Sequence, residues 1–151
     1  MSDTYFLDTS ALLKLYHQEA GTEQIEALFQ QQENTLVISE LAIVEFYSSL
    51  FRKVRTREIT IQAQEEAHKN FEEDCAQRFV IEPLENTVIQ TAKELLRKHG
   101  NQHALRALDA LQLSTCHSAR VRGELTFVCA DARLVGIAQR EGLPIINPET
   151  T

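Results

Sequence analysis

The pattern that most restricts this chain occurs twice: a short apolar run, an aspartate, then helical periodicity. Tyr5-Phe6-Leu7 delivers Asp8, Thr9 and Ser10, after which Leu12, Leu15 and Tyr16 fall at i, i+3 and i+4, on one helical face. Leu125-Thr126-Phe127-Val128-Cys129-Ala130 runs into Asp131, after which Leu134, Val135 and Ala138 pattern a helix up to Gly142. Thr9 and Ser10 are helix-capping residue types, so strand gives way to helix at Asp8 or just beyond. In a parallel α/β sheet, ligand sites form outside the carboxyl ends of the strands. A helix cap accounts for Asp8 equally well, so this stretch alone leaves its role open.

The segments between these motifs alternate in kind. Ile25, Leu28 and Phe29 predict a helix from about Thr22 to Gln32, and Thr35-Leu36-Val37-Ile38 reads as a buried strand. Ser39 caps the next helix, and Glu40 in its first turn suits the macrodipole, which removes Glu40 from the site candidates. A polar helix from about Thr60 to Gln77 carries Ala63, Ala67, Phe71 and Cys75 along one side. Phe79-Val80-Ile81 is a strand ended by Glu82-Pro83, and Val88, Ala92, Leu95 and Leu96 pattern a helix that stops near Gly100. Ala104 to Leu113 reads as helical, and Pro144-Ile145-Ile146 as a last short strand. Strands alternating with helices predict an α/β fold with a mainly parallel sheet, in a single domain spanning residues 1–151.

Charge and composition exclude several classes. A formal net charge of −7 argues against broad electrostatic binding of nucleic acid, which relies on basic surface, yet leaves room to recruit cations locally. No apolar run approaches the ~20 residues of a membrane span, and the N-terminal residues lack the pattern of a secretory signal. Cys75, Cys116 and Cys129 are odd in number and widely spaced, as expected of reduced thiols in a cytoplasmic protein. The histidines at 17, 68, 99, 103 and 117 follow no metal-ligand pattern.

Two further acids stand among apolar residues. Leu41, Val44, Glu45, Ser48 and Phe51 share one half of a helix, and a glutamate in such a stripe must be neutralised, paired or bound to a cation. A buried ion pair with one of the 15 Lys and Arg residues competes with cation binding. Ile43, Phe46 and Tyr47 make the opposite face apolar too, which predicts deep burial or a partner subunit. Asp109 shares a face with Leu105, Leu108, Gln112 and Cys116. If strands 1 and 4 are neighbours, Asp8 and Asp131 reach the same edge. Oxygen-only ligands suit Mg²⁺ or Mn²⁺, which can activate water and neutralise a scissile phosphate. The one basic cluster, Arg52-Lys53-Val54-Arg55-Thr56-Arg57, is either a solvated helix end or, with Lys14 and Arg106, a set of phosphate contacts.

Leu7-Asp8-Thr9-Ser10-Ala11-Leu12, Ser39-Glu40-Leu41-Ala42-Ile43-Val44-Glu45, Leu105-Arg106-Ala107-Leu108-Asp109-Ala110-Leu111 and Cys129-Ala130-Asp131-Ala132-Arg133-Leu134 resemble, in order, the acidic motifs of PIN-domain ribonucleases. Gly142-Leu143-Pro144-Ile145-Ile146-Asn147-Pro148 is similar to that family's last strand. The compact chain resembles most the VapC-type toxins of toxin–antitoxin pairs. The resemblance implies a parallel sheet of about five short strands sandwiched by helices (α/β/α), and RNA cleavage dependent on Mg²⁺ or Mn²⁺. It also implies a homodimer and a small inhibitory antitoxin. Carried over by motif, Asp8, Glu45, Asp109 and Asp131 form the acidic metal and catalytic site, and Ser10 supports Asp8. A catalytically silent binding module on the same fold is the alternative, acting through its apolar helix face. Phosphoryl transfer with Asp8 as nucleophile fails, because that chemistry wants a second aspartate two residues on, where Ser10 stands.

Overall fold

The computed structural model describes residues 2–150. Its strands are β1 (Thr4–Leu7), β2 (Thr35–Ser39), β3 (Phe79–Glu82), β4 (Thr126–Val128) and β5 (Ile145–Ile146). The helices are α1 (Thr9–Leu13), α2 (Thr22–Gln30), α3 (Glu40–Arg55), α4 (Ile61–Gln77), α5 (Asn86–His99), α6 (Ala107–Arg120) and α7 (Ala132–Arg140). The strands form one sheet in the order β3-β2-β1-β4-β5, every pairing parallel. This is the parallel α/β sheet that the alternation of elements predicts, with helices on both faces as the resemblance implies.

Both sheet faces are buried because successive strand side chains point in opposite directions. Phe6, Val37, Phe127 and Cys129 join one apolar cluster with α5, α6 and α7, and Phe6 stacks on Phe127 with ring centroids 6.0 Å apart. Leu7, Leu36, Ile38 and Val128 join the other cluster with α1 to α4. At its edge, the Arg78 guanidinium donates to the carbonyls of Phe29, Gln31 and Asn34, tying the start of β3 to the end of α2.

β1 is central, and the chain winds away from it on both sides. In doubly wound sheets ligands bind outside the carboxyl ends of the strands where the winding reverses, here between β1 and β4. Leu7 pairs with Val128, and the Asp8 N–H donates to the Val128 carbonyl at 3.1 Å, so Asp8 and Asp131 share that edge.

Several local expectations are corrected. The inward face of α3 is Ala42, Phe46 and Leu50, each fully buried, whereas Val44 is 67% and Phe51 48% exposed. The expected partner face of Ile43, Phe46 and Tyr47 therefore packs inward, with Phe46 stacked on Phe71 at 4.0 Å. Alternating apolar residues on both halves of the helix had made the two faces indistinguishable by period. α6 begins at Ala107 rather than Ala104, because the Leu105 N–H is taken by the His103 carbonyl and Arg106 is extended. The strand expected over Leu125–Ala130 keeps only Thr126–Val128, α1 stops at Leu13, and α2 stops at Gln30.

Candidate active site

Asp8 leaves β1 with an extended backbone and caps α1, accepting from the Ala11 N–H at 3.0 Å. The Ser10 hydroxyl donates to the same oxygen, Oδ1, at 2.6 Å. Ser10 Oγ in turn accepts from the Ala130 N–H at 3.1 Å, so one hydroxyl joins the loop after β1 to the loop after β4. Asp8 is only 5% exposed. Burial pushes its carboxyl up to about 6, although the Cys129 thiol, the Ser10 hydroxyl and the Ala11 amide pull it down; the Glu45 charge adds to the rise.

Glu45 is partly buried and faces the same corner from α3. Its Oε1 accepts from the Thr9 hydroxyl at 2.7 Å and from the Gln112 amide at 2.7 Å. The Gln112 amide also donates to Thr9 Oγ1 at 2.9 Å. Neutral donors thus hold Oε1 of Glu45, in place of the ion pair that the sequence left open as an alternative. Thr9 and Gln112 were passed over by sequence reasoning. Thr9 read as a cap, and Gln112 as one more residue on the face of Asp109.

Asp109 lies in the first turn of α6, and burial raises its carboxyl, followed by the like charge of Asp131. Asp131 caps α7, accepting from the Arg133 and Leu134 N–H groups, and pairs with the Arg133 guanidinium at 3.6 Å. Asp8, Asp109 and Asp131 therefore all stand at helix N-termini, where backbone N–H groups and the dipole favour negative charge. The charges of Arg106 and Arg133 reach Asp109 as well. Arg133 is a further cation of this rim that sequence reasoning did not single out.

The acids fall into two electrostatically coupled pairs, Asp8 with Glu45 and Asp109 with Asp131. Among the described residues, no three His, Cys, Asp or Glu side chains stand close enough to hold one metal ion as placed. The donor set nevertheless fits a hard divalent cation: all four groups are carboxylates, and a cation relieves the burial and repulsion that raise Asp8 and Asp109.

The expected phosphate contacts divide. Arg52, Arg55, Arg57 and Arg106 are exposed, and Lys53 is partly buried near Glu58. Lys14 is 2% exposed and pinned between Glu19 at 3.0 Å and Glu149 at 2.9 Å, which withdraws it from any surface that a phosphate could reach. Cys75, Cys116 and Cys129 are free thiols. No helix among the described residues is long and apolar enough to cross a membrane.

A parallel sheet flanked by helices, with paired aspartates where the winding reverses, defines an α/β protein with an acidic rim site. The family model described as PIN domain matches residues 5–139, and the chain belongs to that family, whose members are generally nucleases. No curated protein matches the sequence. Among solved structures it is similar to FitAcB from Neisseria gonorrhoeae, with a TM-score of 0.66 and 15% identity over 100% of both chains. It is also similar to VapBC2 from Rickettsia felis bound to a promoter DNA fragment, with a TM-score of 0.64 and 16% identity over 95% of this chain and 97% of that one. A third is Mycobacterium tuberculosis VapC20, a sarcin-ricin loop cleaving toxin, at 0.65 and 16% over 87% of this chain and 93% of that one. At these identities the likeness is one of fold.

Proposed function

We propose that the protein is an endoribonuclease dependent on Mg²⁺ or Mn²⁺, acting as the toxin of a toxin–antitoxin pair. The observation that carries this reading is the buried Asp8 carboxyl, raised to about 6 beside Glu45 at the point where the winding reverses. Asp8 and Asp109 would hold the cation, with Glu45 and Asp131 completing the shell or positioning the attacking water. A divalent ion bound there supplies a Lewis acid for the scissile phosphate and a water easily deprotonated at neutral pH. The protein's own part is to orient these acids. Ser10 and the α1 N-terminus hold Asp8, Thr9 and Gln112 hold Glu45, and the α7 N-terminus holds Asp131.

The substrate is single-stranded or looped RNA, whose backbone and bases are reachable. Arg52, Lys53, Arg55, Arg57, Arg106 and Arg133 are the phosphate contacts, offsetting the net negative charge of the chain. A solved structure of similar fold from Klebsiella pneumoniae is a toxin–antitoxin complex, which supports a small antitoxin as partner. Val44 and Phe51, the outward apolar residues of α3, replace the expected Ile43, Phe46 and Tyr47 face as candidates for a homodimer or antitoxin contact.

Cleavage of structured RNAs with Mg²⁺ or Mn²⁺ tests the reading. Wild type is expected to cleave and Asp8→Asn to lose activity by several orders of magnitude; equal activity would overturn the assignment. A second reading, a silent module on the same fold, draws support from the acids standing as separate pairs. Calorimetry with millimolar Mn²⁺ separates the two, since the silent module gives no binding heat.

A further inference from the structure

Gln112 sits on α6 one turn beyond Asp109 and is 3% exposed, yet its amide does not point to its own helix. Nε2 donates to two acceptors on two other elements, Thr9 Oγ1 on α1 and Glu45 Oε1 on α3. The orientation of the amide is fixed chemically. An ionised carboxylate accepts and never donates, so the nitrogen must face Glu45 and the oxygen must face away. The oxygen end, Oε1, is buried and meets no donor among the described residues. A buried acceptor without a donor is costly, so this conformation is retained for what the nitrogen end does.

That end fixes which oxygen of Glu45 is used. Among the described residues every hydrogen bond to Glu45 lands on Oε1, one from Thr9 and one from Gln112. At Asp8, Ser10 and the Ala11 amide both bond Oδ1, and the Cys129 thiol also lies against the carboxyl. Glu45 thus has one oxygen held by protein donors and the other left outside those bonds. Thr9 adjoins Asp8 in the chain, so the Gln112 amide sets the spacing of the pair as well as the rotation of Glu45.

We propose that Gln112 is a positioning residue: by bridging Thr9 and Glu45 it turns the second oxygen of Glu45 to a divalent cation shared with Asp8. The proposal rests on the metal-dependent reading above. Partners that orient metal ligands typically change metal affinity about 10–100-fold when removed. Gln112 touches neither substrate nor reacting atoms in this role. It acts through Glu45.

The test titrates Mn²⁺ into metal-free wild type, Gln112→Met and Gln112→Leu by calorimetry, then measures RNA cleavage across Mn²⁺ concentration. Gln112→Met keeps length and apolar packing but removes the donor; it is expected to bind Mn²⁺ about 10–100-fold more weakly. Its half-saturating Mn²⁺ should rise by the same factor, with the rate at saturating metal restored to within a few-fold; a merely structural role would depress the rate at every concentration. Gln112→Leu also removes the donor without adding charge, so it should weaken Mn²⁺ to a similar extent; it also decides the question if the Met variant does not fold. In metal-free wild type, the Gln112 side-chain amide protons should resist exchange with solvent, and Glu45→Ala should remove that protection. Wild-type binding with unchanged affinity in both variants overturns the inference alone. No Mn²⁺ binding by wild type overturns the metal-dependent reading and this role with it.

Discussion

Thr9 donates its hydroxyl to Glu45 across 2.7 Å, although the two residues are 36 positions apart in the chain. The bond joins α1 to α3 beside Asp8, so the first two acidic motifs form one unit before any cation is considered. It also explains how Glu45 tolerates its surroundings. Two neutral donors stabilise its charge without cancelling it, which leaves the pair electrostatically unfinished.

The first prediction concerns that imbalance. The folded Asp8 carboxyl lies near 6, against an ordinary 3.8, because burial and the Glu45 charge favour its protonated form. The stability this contributes is full below the ordinary value and is lost as pH rises through about 6. In EDTA, wild type should lose up to about 3 kcal/mol between pH 4 and pH 7 through this group. Asp8→Asn should lack that component and exceed wild type in urea midpoint at pH 7. An identical pH dependence in the two proteins would refute the assignment.

Phe46 and Val44 test which face of α3 is structural. Phe46 is fully buried, with Phe71 at 4.0 Å and Tyr16 at 5.2 Å between ring centroids. Phe46→Ala should cost about 3–5 kcal/mol in urea unfolding. Val44→Ser should change monomer stability by no more than about 0.5 kcal/mol. If the Val44 variant also alters sedimentation or antitoxin capture, the outward residues of α3 form the contact.

Lys14 should prove irrelevant to RNA. Lys14→Met replaces a buried cation with an apolar chain of similar length, while Glu19 and Glu149 are exposed enough to regain water. Unfolding should shift by about 1 kcal/mol or less, with RNA affinity unchanged. Arg55→Ala, at an exposed site, should weaken RNA uniformly across sequences and lower the salt slope by about 0.7.

Arg78 is the strongest single tie at the sheet edge. Its guanidinium makes four hydrogen bonds to three backbone carbonyls and lies 5.3 Å from the Phe29 ring centre. Arg78→Met should cost about 2–3 kcal/mol by leaving those carbonyls without a charged donor. Faster amide exchange in β3 than in β4 is the expected signature.

The sequence carried the fold well because its strands are apolar and its helices are punctuated. β2 is buried on both faces and flanked by polar residues, Ser39 and Thr60 cap as their types require, and Gly100 stops α5. The inward face of α3 was not legible. Leu41, Val44 and Phe51 suggest one stripe and Ile43, Phe46 and Tyr47 another, and only docking against α4 selects between them. The burial of Lys14 was equally hidden, since it depends on Glu149, distant in sequence. At the site, Asp8 and Asp131 were marked by their strands, but the Thr9–Gln112–Glu45 bridge joins three elements whose packing no spacing rule describes.

The central place of β1 has a further consequence during synthesis. Residues up to about 100 contain Asp8 and Glu45 but neither Asp109 nor Asp131, and β1 then has only β2 beside it, its other edge awaiting β4. A nascent chain on the ribosome thus carries half of the acidic rim and an unpaired strand. Whatever chemistry the rim supports therefore waits until α6 and β4 have emerged and β4 has paired with the free edge of β1, bringing Asp109 and Asp131 to Asp8 and Glu45.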